Sequence, residues 1–323
     1  MRKSAVVLSV LAVMASGVAL AQTTAKDTVP YWAYPVPEKT GPAPKLDDTI
    51  KKHVPHSKAS FTEAETNDRF HVPDWHPEGH PAMPAIISSG KAPNVMACGY
   101  CHLPNGHGRP ENAPLAGQPA AYLIEQVSDM KAGHRKSSEP RMGSINAMVK
   151  IAAALSPQDL KTAAEYFEKT KYTKWIRVVE ADMVPKTEVS SHNMLVPKAG
   201  GGKEKLGDRI VEMPANLERT ELRDATSGFI AYVPKGSIAR GKKLVESGAG
   251  AFPCSSCHGD TLKGDGNVPG LAGRSPSMIV RQLYDFKAGT RGGPNADPMK
   301  PEVEHMTASM RLDIAAYLAS LNP

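Results

Sequence analysis

The sequence contains few cysteines and few aromatic residues, and it has no long hydrophobic run beyond its first 20 residues. Four of the 323 residues are cysteine, and only 6% are Phe, Trp or Tyr. A membrane-spanning helix needs roughly 20 apolar residues, so we expect no span in the mature chain. Lys and Arg form no dense blocks interleaved with aromatic residues, which argues against nucleic acid as a partner.

The N-terminus predicts export from the cytoplasm. Arg2 and Lys3 precede an apolar run over residues 5–20, and small residues follow up to Ala21. A charged start, a short apolar core and a small-residue cleavage site are typical of a secretory signal peptide. We therefore expect cleavage of residues 1–21 and a periplasmic protein, soluble or peripherally associated with the membrane. A retained membrane anchor is the alternative.

The four cysteines form two close pairs, and a histidine follows each pair directly. The chain repeats itself with an offset of 156 positions, and the match continues through a Leu-Ala-Gly segment and a Gln-x-x-Asp-x-Lys-Ala-Gly segment. So long a match indicates that the chain contains the same domain twice. The paired motifs are Cys98, Cys101 and His102 in the first copy and Cys254, Cys257 and His258 in the second.

Apolar residues at three- and four-residue spacing predict helices in both copies, with almost no alternating strand pattern. We expect an all-α fold of two tandem domains with a long irregular linker and an N-terminal extension rich in Pro and His. The extension should wrap the molecule without a core of its own. The predicted boundaries are 1–21 for the signal peptide, 22–90 for the extension, 91–171 for domain 1, 172–230 for the linker and 231–323 for domain 2.

The cysteine–histidine motifs predict covalent attachment of two haem c groups. Two cysteines three positions apart on one helical turn can each form a thioether with a haem vinyl group, and the next histidine can bind the iron. Zinc would need a second pair of ligands nearby. A redox-active dithiol or a structural disulfide remains the alternative reading of each pair.

A methionine as sixth ligand would close the iron and favour electron transfer over catalysis. Candidates are Met142 and Met148 in copy one and Met299, Met306 and Met310 in copy two. Only Met148 and Met299 stand at an equal distance, 18 residues, before the tyrosine of the terminal helix. We therefore predict His102 with Met148 and His258 with Met299 as the axial ligands, and interpret Met306 as core packing.

Each copy resembles a class I cytochrome c, and the tandem is similar to the dihaem c-four cytochromes. The resemblance rests on the motifs above and covers residues 91–170 and 232–322. It implies that Pro269 offers its carbonyl oxygen to the second ring nitrogen of His258. Copy one has Ala113 at the corresponding position, which leaves its hydrogen bond open. Gly241 could allow close helix crossing in copy two, and copy one lacks this glycine.

Other polar residues have two readings each. Arg135 and Arg291 occupy equal positions, and could pair with haem propionates or act as cations at a helix C-terminus. Four of the histidines outside the motifs, His71, His76, His80 and His107, could form a metal site or an alternative haem ligand, although solvated side chains are the simpler interpretation.

These features predict a protein that passes electrons between a redox donor and an acceptor, as a carrier or as the cytochrome subunit of a membrane-bound or periplasmic dehydrogenase or oxidase. The sequence shows no proton-transfer dyad or nucleophile, which favours electron transfer over an enzyme. The alternative is a dihaem enzyme, a peroxidase or a thiosulfate dehydrogenase, with one open or unusual haem site. A third reading is an adaptor that docks to a larger complex.

Overall fold

The computed structural model describes residues 27–38 and 45–323. The predicted signal peptide lies outside this range. The first copy is helical. After two short helices of the extension, α1 and α2, it contains the motif helix α3 and three longer helices. These elements are α1 (Glu63–Thr66), α2 (Ala85–Ser88), α3 (Cys98–His102), α4 (Ala120–Ala132), α5 (Gly143–Ala154) and α6 (Pro157–Lys169).

The ends of these helices follow from local chemistry. Helix α4 ends at Gly133, whose φ of 78° is in the left-handed region that glycine adopts without steric cost. Helix α6 begins after Ser156, whose hydroxyl accepts the backbone N–H of Asp159. Thr307 caps the equivalent helix of the second copy in the same way. Serine and threonine at these positions therefore define the start of the terminal helix in both copies.

The second copy repeats this order after a short intermediate helix, α7 (Leu217–Glu221). Its terminal helix is apolar on most sides and is buried along nearly its whole length. The elements are α8 (Ser237–Ser247), α9 (Ser255–His258), α10 (Pro276–Lys287), α11 (Met299–Glu304) and α12 (Ala308–Ser320). Helices α8 and α12 make the closest helix pair of this copy.

Gly241 is the point at which α8 crosses α12. A Cβ atom at this position would lie 1.9 Å from the carbonyl oxygen of Asp313, far inside van der Waals contact. The crossing is also fixed by Arg240, whose guanidinium donates two hydrogen bonds of 2.8 Å to the Asp313 carboxylate. The glycine predicted to allow a close crossing therefore has this role in the structure.

Residues between the copies contain seven short strands, so the prediction of an all-α chain with an irregular linker is wrong for this segment. Strands of three to five residues show too few alternations for a sequence signal, and the largest sheet pairs residues up to 53 positions apart, Ile176 with Phe229. The strands are β1 (Ile176–Glu180), β2 (Met183–Pro185), β3 (Thr187–Val189), β4 (Leu195–Pro197), β5 (Lys203–Lys205), β6 (Val211–Pro214) and β7 (Phe229–Val233).

Three of these strands form one sheet, in the order β1-β7-β6. Strand β7 pairs in parallel with β1 and antiparallel with β6, and two separate hairpin-like pairs, β2 with β5 and β3 with β4, complete the segment. The central strand buries Phe229, Ala231 and Val233 on one face. These side chains join the core of the second copy, so the segment is packed structure.

The N-terminal extension contacts both copies. Tyr34 is buried and donates a hydrogen bond of 2.7 Å to the carboxylate of Asp285 in the second copy. Elsewhere the extension contacts the first copy, where the Ala97 N–H donates to the carbonyl oxygen of Arg69 at 2.9 Å. It also contacts the intermediate segment, residues 172–230, where Trp75 donates to the carbonyl oxygen of Leu222 at 2.7 Å. The described part of the extension therefore lies along both copies, and it shares a small apolar cluster with the intermediate segment.

The two copies meet through a buried network of arginine and glutamine. Arg135 donates to Gln126 of its own copy at 2.8 Å and to Gln282 of the other at 2.9 Å. Arg291 does the reverse, with distances of 2.9 Å to Gln282 and to Gln126. The duplicated residues thus meet across an approximate two-fold axis. Of the helices in 27–38 and 45–323, none has the length and apolar character to span a membrane.

Replacing Gly241 by alanine should destabilise the second copy, because the added methyl group must displace the Asp313 backbone. Overpacking of this kind costs about 1–3 kcal/mol. Urea unfolding of the variant should show this loss. Gly292→Ala is the matched control, since a Cβ there meets its nearest atom, the His134 carbonyl oxygen, at an ordinary 3.6 Å. Equal stability of the two variants would contradict the close crossing.

Candidate haem sites

Each motif includes one helical turn, α3 or α9, in which the histidine is buried. Three of the four cysteines are half-buried, and no disulfide joins any of them. Burial raises the pKa of Cys98 to about 12 and that of Cys254 to about 11. A redox-active dithiol needs a lowered thiol pKa, so these surroundings do not favour the dithiol alternative.

The motif histidines have the same hydrogen bond in both copies. His102 Nδ1 lies 2.8 Å from the carbonyl oxygen of Ala113, and His258 Nδ1 lies 2.8 Å from that of Pro269. A carbonyl oxygen can only accept, so Nδ1 carries the proton and Nε2 presents a lone pair suited to iron. The Pro269 contact agrees with the family resemblance, and alanine serves equally well because the acceptor belongs to the backbone.

Both histidines are buried, and burial lowers the pKa of each imidazole below its ordinary value. The neutral imidazole is the form that binds a metal ion. A buried neutral histidine with a fixed tautomer, beside two thiols on one helical turn, is a donor set that fits a covalently attached haem. The residues present therefore match the group that the motifs predict.

The methionines separate into two environments in each copy. Met148 is half-buried and packs in the same apolar cluster as Cys98 of the first copy. Met142 is 3% exposed and belongs to the other large cluster, with residues of the intermediate segment. Met299 is half-buried, and Met306 is fully buried in the core of the second copy. The roles of Met148 and Met299 as ligands stay predictions that these positions support.

The loop after the first motif is covered, whereas the equivalent loop after the second motif is open. In the first attachment loop, residues 103–111, every residue except Asn105 is buried. In the second attachment loop, residues 259–267, only Leu262 is buried, and most of the others are exposed. Cys257 is also exposed, whereas Cys101 is half-buried. The duplicated sites therefore differ in their access to solvent.

The intermediate segment provides this cover. Arg223 lies 3.6 Å above the ring of Tyr100 and donates to the Tyr100 carbonyl oxygen at 2.9 Å. Asn105 donates to the carbonyl oxygen of Ala225 at 2.9 Å. No local sequence pattern signals Arg223, because it contacts a residue of the motif helix that lies more than 100 positions earlier in the chain.

The additional histidines mostly have structural partners. His76 lies 3.1 Å from an Asp224 oxygen, and His80 lies 3.1 Å from an Asp74 oxygen and 3.0 Å from the Tyr166 hydroxyl. His107 Nε2 accepts a hydrogen bond from the Thr173 backbone N–H at 3.1 Å. Of these four histidines, His71 alone is exposed. In the part of the chain that the structure covers, no group of three or more His, Cys, Asp or Glu side chains is placed to hold a metal ion.

Several known proteins similar to this chain are cytochromes. No protein-family model matches it. Cytochrome c4 of Azotobacter vinelandii is 28% identical over 218 residues, which are 66% of this chain and 76% of that protein. Cytochrome c-554(547) of Halothiobacillus neapolitanus is 32% identical over 94 residues, 27% of this chain and 98% of that protein. The solved cytochrome c4 of Pseudomonas stutzeri has a TM-score of 0.45 at 22% identity, covering 69% of this chain and 93% of that chain.

The chain belongs to the c-type cytochromes, since it matches cytochrome c-554(547) along nearly the whole length of that protein. More narrowly, it is a dihaem class I cytochrome similar to the cytochromes c4. Its cofactors are two covalently bound haem c groups, and electron transfer is its class of function. The resemblance stated from the motifs is thereby confirmed.

Proposed function

We propose that this cytochrome transfers electrons between redox proteins in the periplasm and that its partners reach it through the second haem. The observation that carries the proposal is the open second attachment loop beside a covered first one. Electron transfer between proteins requires close approach to the edge of a cofactor. The first haem then exchanges electrons mainly through the second.

The haem-binding residues in this proposal are those that the motifs predict. Cys98 and Cys101 hold the first haem, and Cys254 and Cys257 hold the second. His102 with Met148 and His258 with Met299 would bind the two irons. Buried imidazoles with fixed tautomers and half-buried methionines are the contacts that support this assignment. Each haem would supply one reversible electron, and the chain would fix its axial ligands and its exposure.

The domain boundaries belong to the same proposal. Helices α3 to α6 lie within 91–171 and helices α8 to α12 lie within 231–323, which supports one haem domain in each range. Residues 22–90 and 172–230 would then be the two additions that cover the first attachment loop. Partners of such a protein would be a donor and an acceptor, such as a periplasmic or membrane-bound dehydrogenase or oxidase.

Export should be visible in the mass of the purified protein. If residues 1–21 are a cleaved signal peptide, the periplasmic form begins at Gln22 and carries the mass of two haems. Intact mass spectrometry of the periplasmic fraction measures both quantities. A protein found only with membranes and retaining residues 1–21 would show that the N-terminus is an anchor.

Leucine at Met148 or Met299 should remove the sulfur ligand from one iron. Each variant is expected to lose the methionine-to-iron charge-transfer band of one of the two haems and to lower the potential of that haem. Optical and magnetic-circular-dichroism spectra with a redox titration measure this. Met142→Leu and Met306→Leu are matched controls, since they keep core volume at a cost below about 1.5 kcal/mol and should leave both bands intact. A band lost in a control would reassign that ligand.

Charge at the second attachment loop should control electron exchange with a small anionic oxidant. Asp265→Lys changes an exposed residue of this loop, and we expect several-fold faster oxidation of the reduced protein by ferricyanide at low ionic strength. Stopped-flow absorbance gives the rate. Glu188→Lys, an equal charge change on exposed β3, is the control and should have little effect. A larger effect of Glu188→Lys than of Asp265→Lys would contradict electron exchange at the second attachment loop.

A further inference from the structure

Gln118 and Arg274 occupy the same position in the two copies, and each reaches into the other copy. Gln118 Nε2 donates to the carbonyl oxygen of Gly270 at 3.0 Å, and its Oε1 accepts the Gly270 N–H at 2.9 Å. Arg274 Nη1 donates to the carbonyl oxygen of Pro114 at 2.9 Å. Pro114 and Gly270 are also equivalent positions. The two contacts are therefore related by the same approximate two-fold axis as the arginine–glutamine network.

The carbonyl groups in these contacts lie next to the acceptors of the motif histidines. Pro114 follows Ala113, which accepts from His102, and Gly270 follows Pro269, which accepts from His258. A backbone carbonyl group thus orients each histidine, and the residue after that carbonyl group is hydrogen-bonded to a side chain of the opposite copy.

Arg274 contacts both of these peptide segments with one guanidinium group. In addition to the bond to Pro114, its Nε donates to the carbonyl oxygen of Gly270 at 2.9 Å, and its Nη2 donates to that of Ala116 at 3.0 Å. Its planar face lies 4.3 Å from the ring centre of Tyr172. Three carbonyl groups and one aromatic ring therefore fix the position of this cation between the two histidine segments.

The guanidinium of Arg274 is buried and has no carboxylate partner among residues 27–38 and 45–323. Its side chain is almost completely enclosed, and within residues 27–38 and 45–323 its hydrogen-bond acceptors are neutral carbonyl groups. Arginine stays protonated in proteins even when buried. Water screens a buried charge poorly, so its field extends to both haem sites. An oxidised haem has one more positive charge than a reduced haem, so a nearby cation favours reduction.

We propose that Arg274 is a shared positioning and electrostatic residue that raises the reduction potentials of both haems together. The inference rests on the proposed attachment sites and goes beyond them. The axial ligands and the exposure of one haem affect the potential of that haem, whereas Arg274 would shift both potentials in the same direction. Arg274 acts through the peptide segments and through its charge, without binding iron. Gln118, its neutral counterpart, completes the contact from the first copy without adding charge.

The test is a redox titration of the dihaem protein with Arg274→Gln, Arg274→Lys and Arg177→Gln. Removing the charge should lower the equilibrium constant for one-electron reduction of each haem by about tenfold. This change corresponds to a reduction potential that is lower by about 59 mV. Lysine keeps the charge but cannot reach three carbonyl groups, so it should lower both potentials by less. Arg177 is exposed on β1, and its loss should change neither potential.

Spectra separate this inference from the proposed sites. If a variant carries two low-spin haems with unchanged methionine bands, its potentials report on Arg274 alone. Unchanged potentials in Arg274→Gln, or a shift at only one haem, would overturn the inference. If that variant does not accumulate as a dihaem protein, Arg274→Lys decides: lowered potentials at both haems support the inference, and potentials equal to those of the unmodified protein overturn it.

Discussion

The hydrogen bond from the motif histidine to a backbone carbonyl oxygen eleven residues later is the contact around which each copy is organised. It fixes the tautomer and the ring orientation of His102 and of His258, and it has the same length of 2.8 Å in both. To make it, the chain after each motif must turn back on itself. Glycines with positive φ, such as Gly106 and Gly264, permit this turn. The orientation of the haem-binding histidine and the course of the attachment loop therefore depend on the same hydrogen bond.

The same turn brings the two copies together. The residues that follow each acceptor carbonyl are the ones that Gln118 and Arg274 contact across the molecule. The Arg135 and Arg291 network forms a second layer of the same interface. The sequence allows two interpretations of these arginines, pairing with haem propionates or a cation at a helix C-terminus. A contact between the copies is a third role, which the structure shows. The observed glutamine partners show that their duplicated spacing serves an approximate two-fold interface.

Duplication of a domain predicts two equal sites. In the structure, the loops that follow the two motifs differ in their exposure to solvent. The intermediate segment packs on both copies, and on the first copy its Arg223 donates to Tyr100 of the motif helix and its Ala225 accepts from Asn105 of the first attachment loop. The second copy keeps its loop open. A covered loop beside one haem site and an open loop beside the other are the asymmetry on which the proposed electron path rests.

The sequence by itself determined the duplication, the helical class of both copies, the cofactor and the motif residues, because thioether attachment and helix capping depend on residues close together in the chain. It also predicts Met148 and Met299 as axial ligands through their equal spacing from a tyrosine. Only the tertiary structure decided the rest. The strands of 176–233 pair residues up to 53 positions apart, and the carbonyl acceptor of His102 is a backbone atom that any residue supplies. Arg274 takes two of its three carbonyl contacts from the opposite copy. Local patterns carry no record of contacts that form only when distant segments pack together.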